Sequence, residues 1–193
     1  MLFRSERFLI ISKSEGTSGE EIWVKDMTTN SAFTLLIKGF DNEANVINND
    51  GDRLLVKTNI DAANYKVVSI DPKNSAKENW LEIIPARTKL LQSVATAGGK
   101  LLLSYLEDAT SKVYQCDIKG KLEREIFLPG IGTATGFAGK KEDKEIFYSY
   151  TLAGLEEAVT KYTPPNIKIA EIIFTQLNSS FPKLIAKIVA NKG

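Results

Sequence analysis

The sequence of 193 residues carries 25 lysine and arginine residues against 24 aspartate and glutamate residues, and 43% of its residues are hydrophobic. This near-neutral charge creates no overall field that attracts nucleic acid, an anionic membrane or an acidic partner. Histidine is absent, which removes the usual general base of serine and cysteine hydrolases and the commonest metal ligand. We therefore predict no catalytic residue, cofactor site or metal site in this chain.

The N-terminal apolar run is short. Only residues 8–11 are continuously apolar, and the small-residue cleavage pattern of a signal peptide is missing. No run approaches the roughly 18 apolar residues that a membrane-spanning helix needs. The single cysteine fits a reducing compartment. We therefore expect a soluble, cytoplasmic protein with neither a membrane nor a nucleic acid as its partner.

Four apolar runs recur along the chain, with separations of 46, 47 and 45 residues between their central residues. A second run follows each of them and ends on an acidic residue. The central residues are Leu9, Leu55, Leu102 and Phe147, and the acidic ends are Asp26, Asp71, Asp117 and Glu171. A repeat of about 45 residues that contains four short strands is typical of a β-propeller blade.

The repeat predicts an all-β chain of about four antiparallel, four-stranded blades. Helical segments of the length that connects parallel strands are missing between the runs, which excludes a doubly wound α/β fold. We place the blades at about residues 5–40, 41–86, 87–130 and 131–177.

Within the first blade, the segment Gly16-Thr17-Ser18-Gly19 has the glycine content of a phosphate loop. It lacks the Lys-Ser/Thr pair and the following helix that phosphate binding needs. We therefore predict a hairpin bend at this position.

The central hairpin of the second blade, residues 53–71, is the clearest local signal. Two arms rich in β-branched residues flank a polar bend at residues 59–64, whose Asn and Asp residues favour turns. We expect this bend to lie on the rim of the blade and to contact a partner. The residues proposed for that contact are Asn59, Asp61, Asn64 and Tyr65.

Two sets of residues have both a chemical and a structural interpretation. A ring formed by Asp26, Asp71 and Asp117 could bind a cation, but a strand-end aspartate more commonly hydrogen-bonds its own turn. Cys116 could be a reactive thiol, but the pattern VYQCD predicts a half-buried strand residue. We favour the structural interpretation of both sets.

The C-terminal part of the chain departs from the repeat. Residues 152–161 form an insertion with the composition of a short helix. In the tail, residues 172–193, apolar positions 184, 185, 188 and 189 have helical spacing, which predicts a short C-terminal helix. Three accounts of the tail remain open: it covers the exposed edge of the last blade, it docks in the central region, or it has no selected role.

Three stretches carry a resemblance to a known family. They read SEGTSGEEIWVKD, GDRLLVKTNIDAANYKVVSID with NWLEIIP, and GGKLLLSYLEDATSKVYQCDIKGKLEREIFLPGIGTATGFAGKKEDKEIFYSYT. In order and content they resemble the β-propeller domain of prolyl oligopeptidase (prolyl endopeptidase), the bacterial enzymes especially. The resemblance covers about residues 5–151 and 162–169. One departure is Ala63, which stands where family members usually carry a proline.

The resemblance implies a function. In this family a seven-bladed propeller caps an α/β-hydrolase domain and admits only short peptides to a Ser-Asp-His triad, which cleaves after proline. This chain is similar to part of the propeller alone, and it contains neither histidine nor a G-x-S-x-G segment. We therefore expect a gating segment that is inactive by itself, whose partners are a hydrolase domain and the remaining blades of a parent peptidase.

An alternative belongs to another functional class. Four blades are the smallest number in closed propellers, so the chain could be a small stand-alone propeller that binds a peptide or a protein. Open blade edges could also pair two copies into a dimer. A third alternative is a degenerate product without function.

Overall fold

A computed structural model of the chain describes residues 2–4, 7–16, 18–128, 130–152, 173–175 and 183–189. Side chains are described for residues 7–151 of this set. The chain divides into two compact units, Met1–Thr88 and Lys89–Gly193. The described part contains 16 strands and one 3₁₀ turn, Lys77–Asn79. Within it, no helix is both long and apolar enough to cross a membrane.

The first unit contains two antiparallel sheets of four strands each. In both sheets, strands that are adjacent in sequence are adjacent in space. The first sheet consists of β1 (Leu2–Arg4), β2 (Phe8–Lys13), β3 (Glu21–Asp26) and β4 (Thr34–Ile37). The second consists of β5 (Ala44–Asp50), β6 (Arg53–Thr58), β7 (Lys66–Ile70) and β8 (Leu81–Ile84).

The two sheets of the first unit share one hydrophobic core. Alternation along the strands produces it: in β3, Ile22 and Val24 are buried while Trp23 between them is half-buried. Trp80, immediately before β8, packs against the same core. The core members from the first sheet include Phe8, Ile10, Ile22 and Val24, and those from the second include Leu54, Val56, Val68 and Ile70.

The second unit also contains two antiparallel, four-stranded sheets. Its third sheet consists of β9 (Leu90–Ala97), β10 (Lys100–Glu107), β11 (Thr110–Asp117) and β12 (Leu122–Ile126). Its fourth sheet consists of β13 (Gly132–Thr135), β14 (Glu145–Leu152), β15 (Ile173–Thr175) and β16 (Lys183–Val189), in the spatial order β13-β14-β16-β15. These four sheets confirm the predicted all-β class and the four-stranded antiparallel blades.

Aromatic side chains fill much of the core of the second unit. The rings of Phe137 and Tyr148 stack with centroids 4.7 Å apart, and Tyr150 meets Tyr148 edge to face at 6.5 Å. Burial raises the pKa of Tyr148 to about 12. Leu102 and Val113 of the third sheet belong to the same cluster, which therefore joins the two sheets.

The predicted C-terminal helix is wrong over residues 183–189, which form strand β16. This strand pairs with β14 from Glu145↔Val189 to Tyr150↔Leu184. The 45-residue repeat predicts that the run ending at Glu171 pairs with β14. Strand β16 occupies that position instead. Three of its seven residues are β-branched, and the pairing satisfies backbone groups of β14, so long-range pairing outweighs the helical spacing. The 162–169 run and residues 153–161 of the predicted insertion lie outside the described residues.

An arginine joins the two sheets of the first unit. The Arg7 guanidinium donates two hydrogen bonds to Asp26 Oδ2, at 3.1 Å from Nε and 2.8 Å from Nη2. It also forms an ion pair with Asp52, in the turn between β5 and β6. The hydrogen bond from Arg7 holds the pKa of Asp26 well below its usual range.

We expect the substitution Arg7→Gln to lower the melting temperature at pH 7 by a few degrees, because it removes both ion pairs. The depressed pKa of Asp26 means that this stabilisation is complete above the ordinary pKa of 3.8 and is lost as the pH falls through the lowered folded value. Calorimetry from pH 7 to pH 2 should therefore show the difference from wild type shrinking only below about pH 4. The exposed Lys38→Gln variant, with the same charge change, should match wild type; an equal effect there contradicts the specific role of Arg7.

Candidate functional site

Each of the first three sheets has a loop between its second and third strands, and each of these loops is a separate candidate contact site, two in the first unit and one in the second. We call these loops the rim loops: residues 14–20, residues 59–65, and residues 107–111, the last of which includes the strand ends on either side of the two-residue turn 108–109. All four residues predicted from the sequence to contact a partner lie in the second rim loop. A residue that is free to bind a partner has an exposed side chain that is not already used inside the fold.

Glu43 anchors the second rim loop from the segment just before β5. Its backbone N–H donates to Asn59 Oδ1 at 2.8 Å, and its carbonyl accepts from the Thr58 hydroxyl at 2.8 Å. The hydroxyl of Tyr65 donates to Glu43 Oε2 at 2.6 Å. Asn59 and Tyr65 therefore hold the loop against the segment that precedes β5.

The other two predicted residues also have partners in the first unit. Asp61 forms an ion pair with Lys77, and hydrogen bonding to that lysine lowers the pKa of Asp61. Asn64 Nδ2 donates to the carbonyls of Arg87 at 3.1 Å and Thr88 at 2.9 Å. Asp61 remains largely exposed on its outer side, so of the four it is the most available to a partner.

Tyr65 occupies an unusual position. Its backbone has φ +65°, in the left-handed region that side chains rarely adopt. The Lys57 ammonium lies 4.0 Å from the centroid of its ring, a cation–π contact. The pKa of Tyr65 is raised to about 12, mainly by the hydrogen bond to Glu43 and to a smaller extent by burial of the phenol.

We expect ultraviolet titration of the tyrosines to reveal this bond. A pKa that is raised in the folded state favours the neutral phenol. The contribution of Tyr65 to folding stability is therefore complete below its ordinary pKa of 10.0 and is lost as the pH rises towards about 12. Subtracting the titration curve of Tyr65→Phe from that of wild type should leave one transition with a midpoint near pH 12. The Glu43→Gln variant should move that midpoint towards 10, and an unchanged midpoint contradicts the assignment.

A recurring contact links each rim loop to the segment that leads into the next sheet. In the first blade, Glu20 N–H donates to the carbonyl of Asn42 at 2.9 Å. In the second, Asn64 makes the bonds to Arg87 and Thr88. In the third, Thr110 Oγ1 both donates to Gly132 O and accepts from Gly132 N at 3.0 Å, and Ser111 Oγ accepts from Ala134 N at 3.0 Å.

We call these bonds the connector contacts. Their partners lie 22 to 24 residues apart in the sequence in all three blades. These contacts could not be predicted from residue types. A backbone amide forms the contact in the first blade, an asparagine amide in the second and two hydroxyls in the third, so no residue type recurs. The constant spacing is the only signal that could have revealed them.

Residues with a proposed chemical role prove to be structural. Cys116 lies in strand β11 as predicted, but at 1% exposure it is fully buried rather than half-buried. The three strand-end aspartates each accept a hydrogen bond from the backbone N–H two residues later, which confirms the turn interpretation. The bonds run from Thr28 to Asp26, from Lys73 to Asp71 and from Lys119 to Asp117, each at 2.9 Å.

The geometry of the rim loops suits contact rather than reaction. Their polar side chains fix backbone positions, and the third loop turns through Asp108 and Ala109 with φ +48° and +60°. The outward-facing residues of the second and third loops, such as Asp61, Ala63, Asp108 and Ala109, are exposed on loops of fixed geometry. Each such loop can form a rigid contact surface for a second body.

Comparison with known proteins identifies a family. The sequence profile of the N-terminal β-propeller domain of prolyl oligopeptidase matches residues 2–152. The chain is 37% identical over 162 residues to the prolyl endopeptidase of Elizabethkingia meningoseptica, which covers 84% of this chain and 22% of the relative. The prolyl endopeptidase of Elizabethkingia miricola matches with the same values.

Solved structures show the same relationship. One solved structure comes from a study of two prolyl endopeptidases and of the role of inter-domain dynamics in their catalysis and specificity. It superposes on this chain with a TM-score of 0.69 at 34% sequence identity. The superposition covers 75% of this chain and 21% of that one. Prolyl oligopeptidase B from Galerina marginata superposes with a TM-score of 0.66 at 21% identity, which shows a shared fold alone. The chain thus spans about a fifth of the length of these relatives.

Proposed function

The chain belongs to the prolyl oligopeptidase family through its N-terminal β-propeller domain, and from this premise we propose that it is a non-catalytic part of a peptidase gate. In this role it limits access to a hydrolase domain that cleaves short peptides after proline. The observation that carries the proposal is the family match over residues 2–152, which coincides with four-stranded antiparallel sheets. Without histidine, the chain supplies no Ser-His-Asp triad of its own.

The rim loops supply the mechanism for this gate. A gate excludes large substrates only if its boundary resists displacement, since a loop that moves freely admits them. Glu43 fixes the second rim loop through its bonds to Asn59 and Tyr65. The connector contacts tie each of the three loops to the segment that follows its own sheet. This chain therefore contributes a rigid boundary, while the nucleophile and its base belong to the partner domain.

A chimeric enzyme tests the gate. In the Elizabethkingia meningoseptica prolyl endopeptidase, only the residues that align with residues 2–152 of this chain are replaced, and residues 2–152 take their place. Cleavage is measured for a short chromogenic peptide that contains proline and for a long unfolded protein rich in proline. We expect the chimera to cleave the peptide and to leave the protein intact, and the unmodified enzyme calibrates both rates.

The opposite outcome is equally clear. A chimera that cleaves the short peptide and degrades the long protein at a similar rate contradicts the gating role of these residues. The isolated 193-residue chain should show no cleavage of the peptide above a blank. Activity that persists in a preparation of the chain purified to homogeneity contradicts the non-catalytic assignment.

One observation favours a second candidate function, a stand-alone propeller that binds a peptide or protein. Strand β16 lies outside the family match, which ends at residue 152. It nevertheless pairs with β14 and lies third in the spatial order of the fourth sheet. With it, each of the four described sheets has four strands. A chain that completes its own sheets has fewer open edges. Size-exclusion chromatography with light scattering separates the candidates: a monodisperse monomer supports the stand-alone module, and aggregation supports a segment that needs its parent.

A further inference from the structure

One face of the first sheet carries apolar side chains that are only half-buried. The other face, with Phe8 and Ile10, belongs to the core shared with the second sheet. Because successive side chains of a strand point to opposite faces, Ile11 of β2 and Trp23 of β3 lie on the half-buried face. These two residues lie opposite each other in the sheet, and Leu35 of β4 lies opposite Trp23. We call the surface formed by this row the leading face.

The same positions in the second sheet form a contact between sheets. Val56 and Val68 lie opposite each other, as Ile11 and Trp23 do, and each lies 45 residues after its counterpart. Val56 is 0% exposed and Val68 is 2% exposed, because both belong to the core shared with the first sheet. The repeat therefore indicates what covers a leading face, namely the opposite face of another sheet of this kind.

The fourth sheet has such a face. Its Tyr148 belongs to the core shared with the third sheet, so Phe147 and Glu145 point to the other side. Phe147 is 52% exposed, whereas Leu102, at the same repeat position in the third sheet, is 1% exposed and lies in the core that the fourth sheet shares. We call the surface formed by Phe147 and Glu145 the trailing face.

Charge and hydrogen bonding suit the two faces to each other. Lys25 lies on the leading face opposite Leu9, at the end of the sheet away from the rim loop. Glu145 is the first residue of β14 and so lies at the corresponding end of the trailing face, which brings opposite charges together. The indole N–H of Trp23 donates to Glu21 Oε1 at 2.8 Å. A partner can therefore cover the ring without leaving this donor unsatisfied.

The last strands of the sheets are less suited to pairing with another copy. In each of the first three sheets, the last two strands pair with a register shift, which bends the edge away from a partner strand. In the fourth sheet, the last strand in the spatial order is β15, which has only three residues. Faces therefore suit association better than these edges do.

We propose that two copies of this chain associate head to tail, with the trailing face of each copy packed on the leading face of the other. Each copy supplies both faces, so the same contact is made twice and the assembly closes. Two copies contain twice the four described sheets, which is within the range of roughly four to eight blades in propellers. This inference goes beyond the proposed gate and does not depend on it.

Size-exclusion chromatography with light scattering tests the association, and a dimer is a third outcome of the measurement described above. At about 100 μM, a concentration that detects micromolar affinity, we expect a mass near twice the 21.3 kDa of one chain. Phe147→Asp places a charge in both contacts and should raise the Kd of the dimer at least about tenfold. The matched control is Leu122→Asp, at a residue that is 51% exposed in β12, and it should leave the dimer intact.

A mixture of two variants tests the head-to-tail geometry. Ile11→Lys alters the leading face and Phe147→Asp alters the trailing face, so each variant alone carries a charge in both contacts. When the two are mixed, a heterodimer has one unaltered contact and one contact with opposite charges on its two sides. Native mass spectrometry, with one variant carrying a tag of known mass, should show the heterodimer at least about tenfold more abundant than either homodimer.

Three results overturn the proposal. One is the mass of a single chain for the wild type, and another is equal weakening of the dimer by Phe147→Asp and Leu122→Asp. The third is a mixture in which the heterodimer does not exceed the homodimers. A variant that failed to fold could not restore the dimer, so the heterodimer is evidence of folded partners. The chimeric enzyme measures size selectivity separately, so a monomeric chain contradicts the head-to-tail pair and leaves the gate standing.

Discussion

Replacement of Leu54 by alanine is expected to lower the free energy of unfolding of the first unit by about 3 to 5 kcal/mol. Leu54 is 0% exposed in β6 and belongs to the core that the first two sheets share. Truncation removes buried methyl groups and leaves a cavity between two sheets that cannot both collapse onto it. A single change in the second sheet therefore destabilises the first as well.

The two tryptophans provide a suitable probe for this experiment. Trp23 and Trp80 both lie in the first unit, so the fluorescence of the whole chain in urea reports the unfolding of that unit. The matched control is Leu81→Ala, at a residue in β8 that is 54% exposed. This control should change the free energy of unfolding by less than about 0.5 kcal/mol. Equal effects of the two variants show that the shared core does not hold the sheets together.

The sheets were predictable from the sequence because their signal is local. An apolar run such as Leu54–Val56, followed by a polar bend and a second run, determines a hairpin through contacts within about 20 residues. The near-constant separation of the runs then predicts the repetition of the sheets without any knowledge of their partners. The turn aspartates were predictable for the same reason, since Asp71 binds an N–H only two residues away.

The tail and the candidate site depend on contacts that are distant in sequence. The pattern at residues 184–189 suits a helix or a strand, and only the pairing with β14, more than thirty residues away, decides between them. Likewise, Asn64 was identified as a polar rim residue, but nothing near it in sequence shows that Arg87 and Thr88 occupy its amide. Asp61, which keeps an exposed face, is the predicted contact residue best placed for a partner.

Gly19 provides the second large effect, and its cause is also a distant contact. The sequence predicts a bend there, and the backbone does take φ +86°. The sequence does not reveal that a Cβ at this position would lie 1.6 Å from the carbonyl oxygen of Phe40. This close approach belongs to the first connector contact, in which Glu20 N–H donates to Asn42.

We therefore expect Gly19→Ala to destabilise the first unit by roughly 3 kcal/mol or more, since the backbone of the rim loop or of the connector must shift. The matched control is Gly39→Ala, because Gly39 has φ +92° but no neighbouring atom within 4 Å of the position that a Cβ would take. That variant carries only the cost of a left-handed alanine, about 1 to 2 kcal/mol. The two variants are compared by their free energies of unfolding in urea. The difference between them measures the cost of the close approach of the new Cβ to Phe40. If the two lose the same stability, the connector gives way without cost, and the rigid boundary on which the proposed gate depends is lost with it.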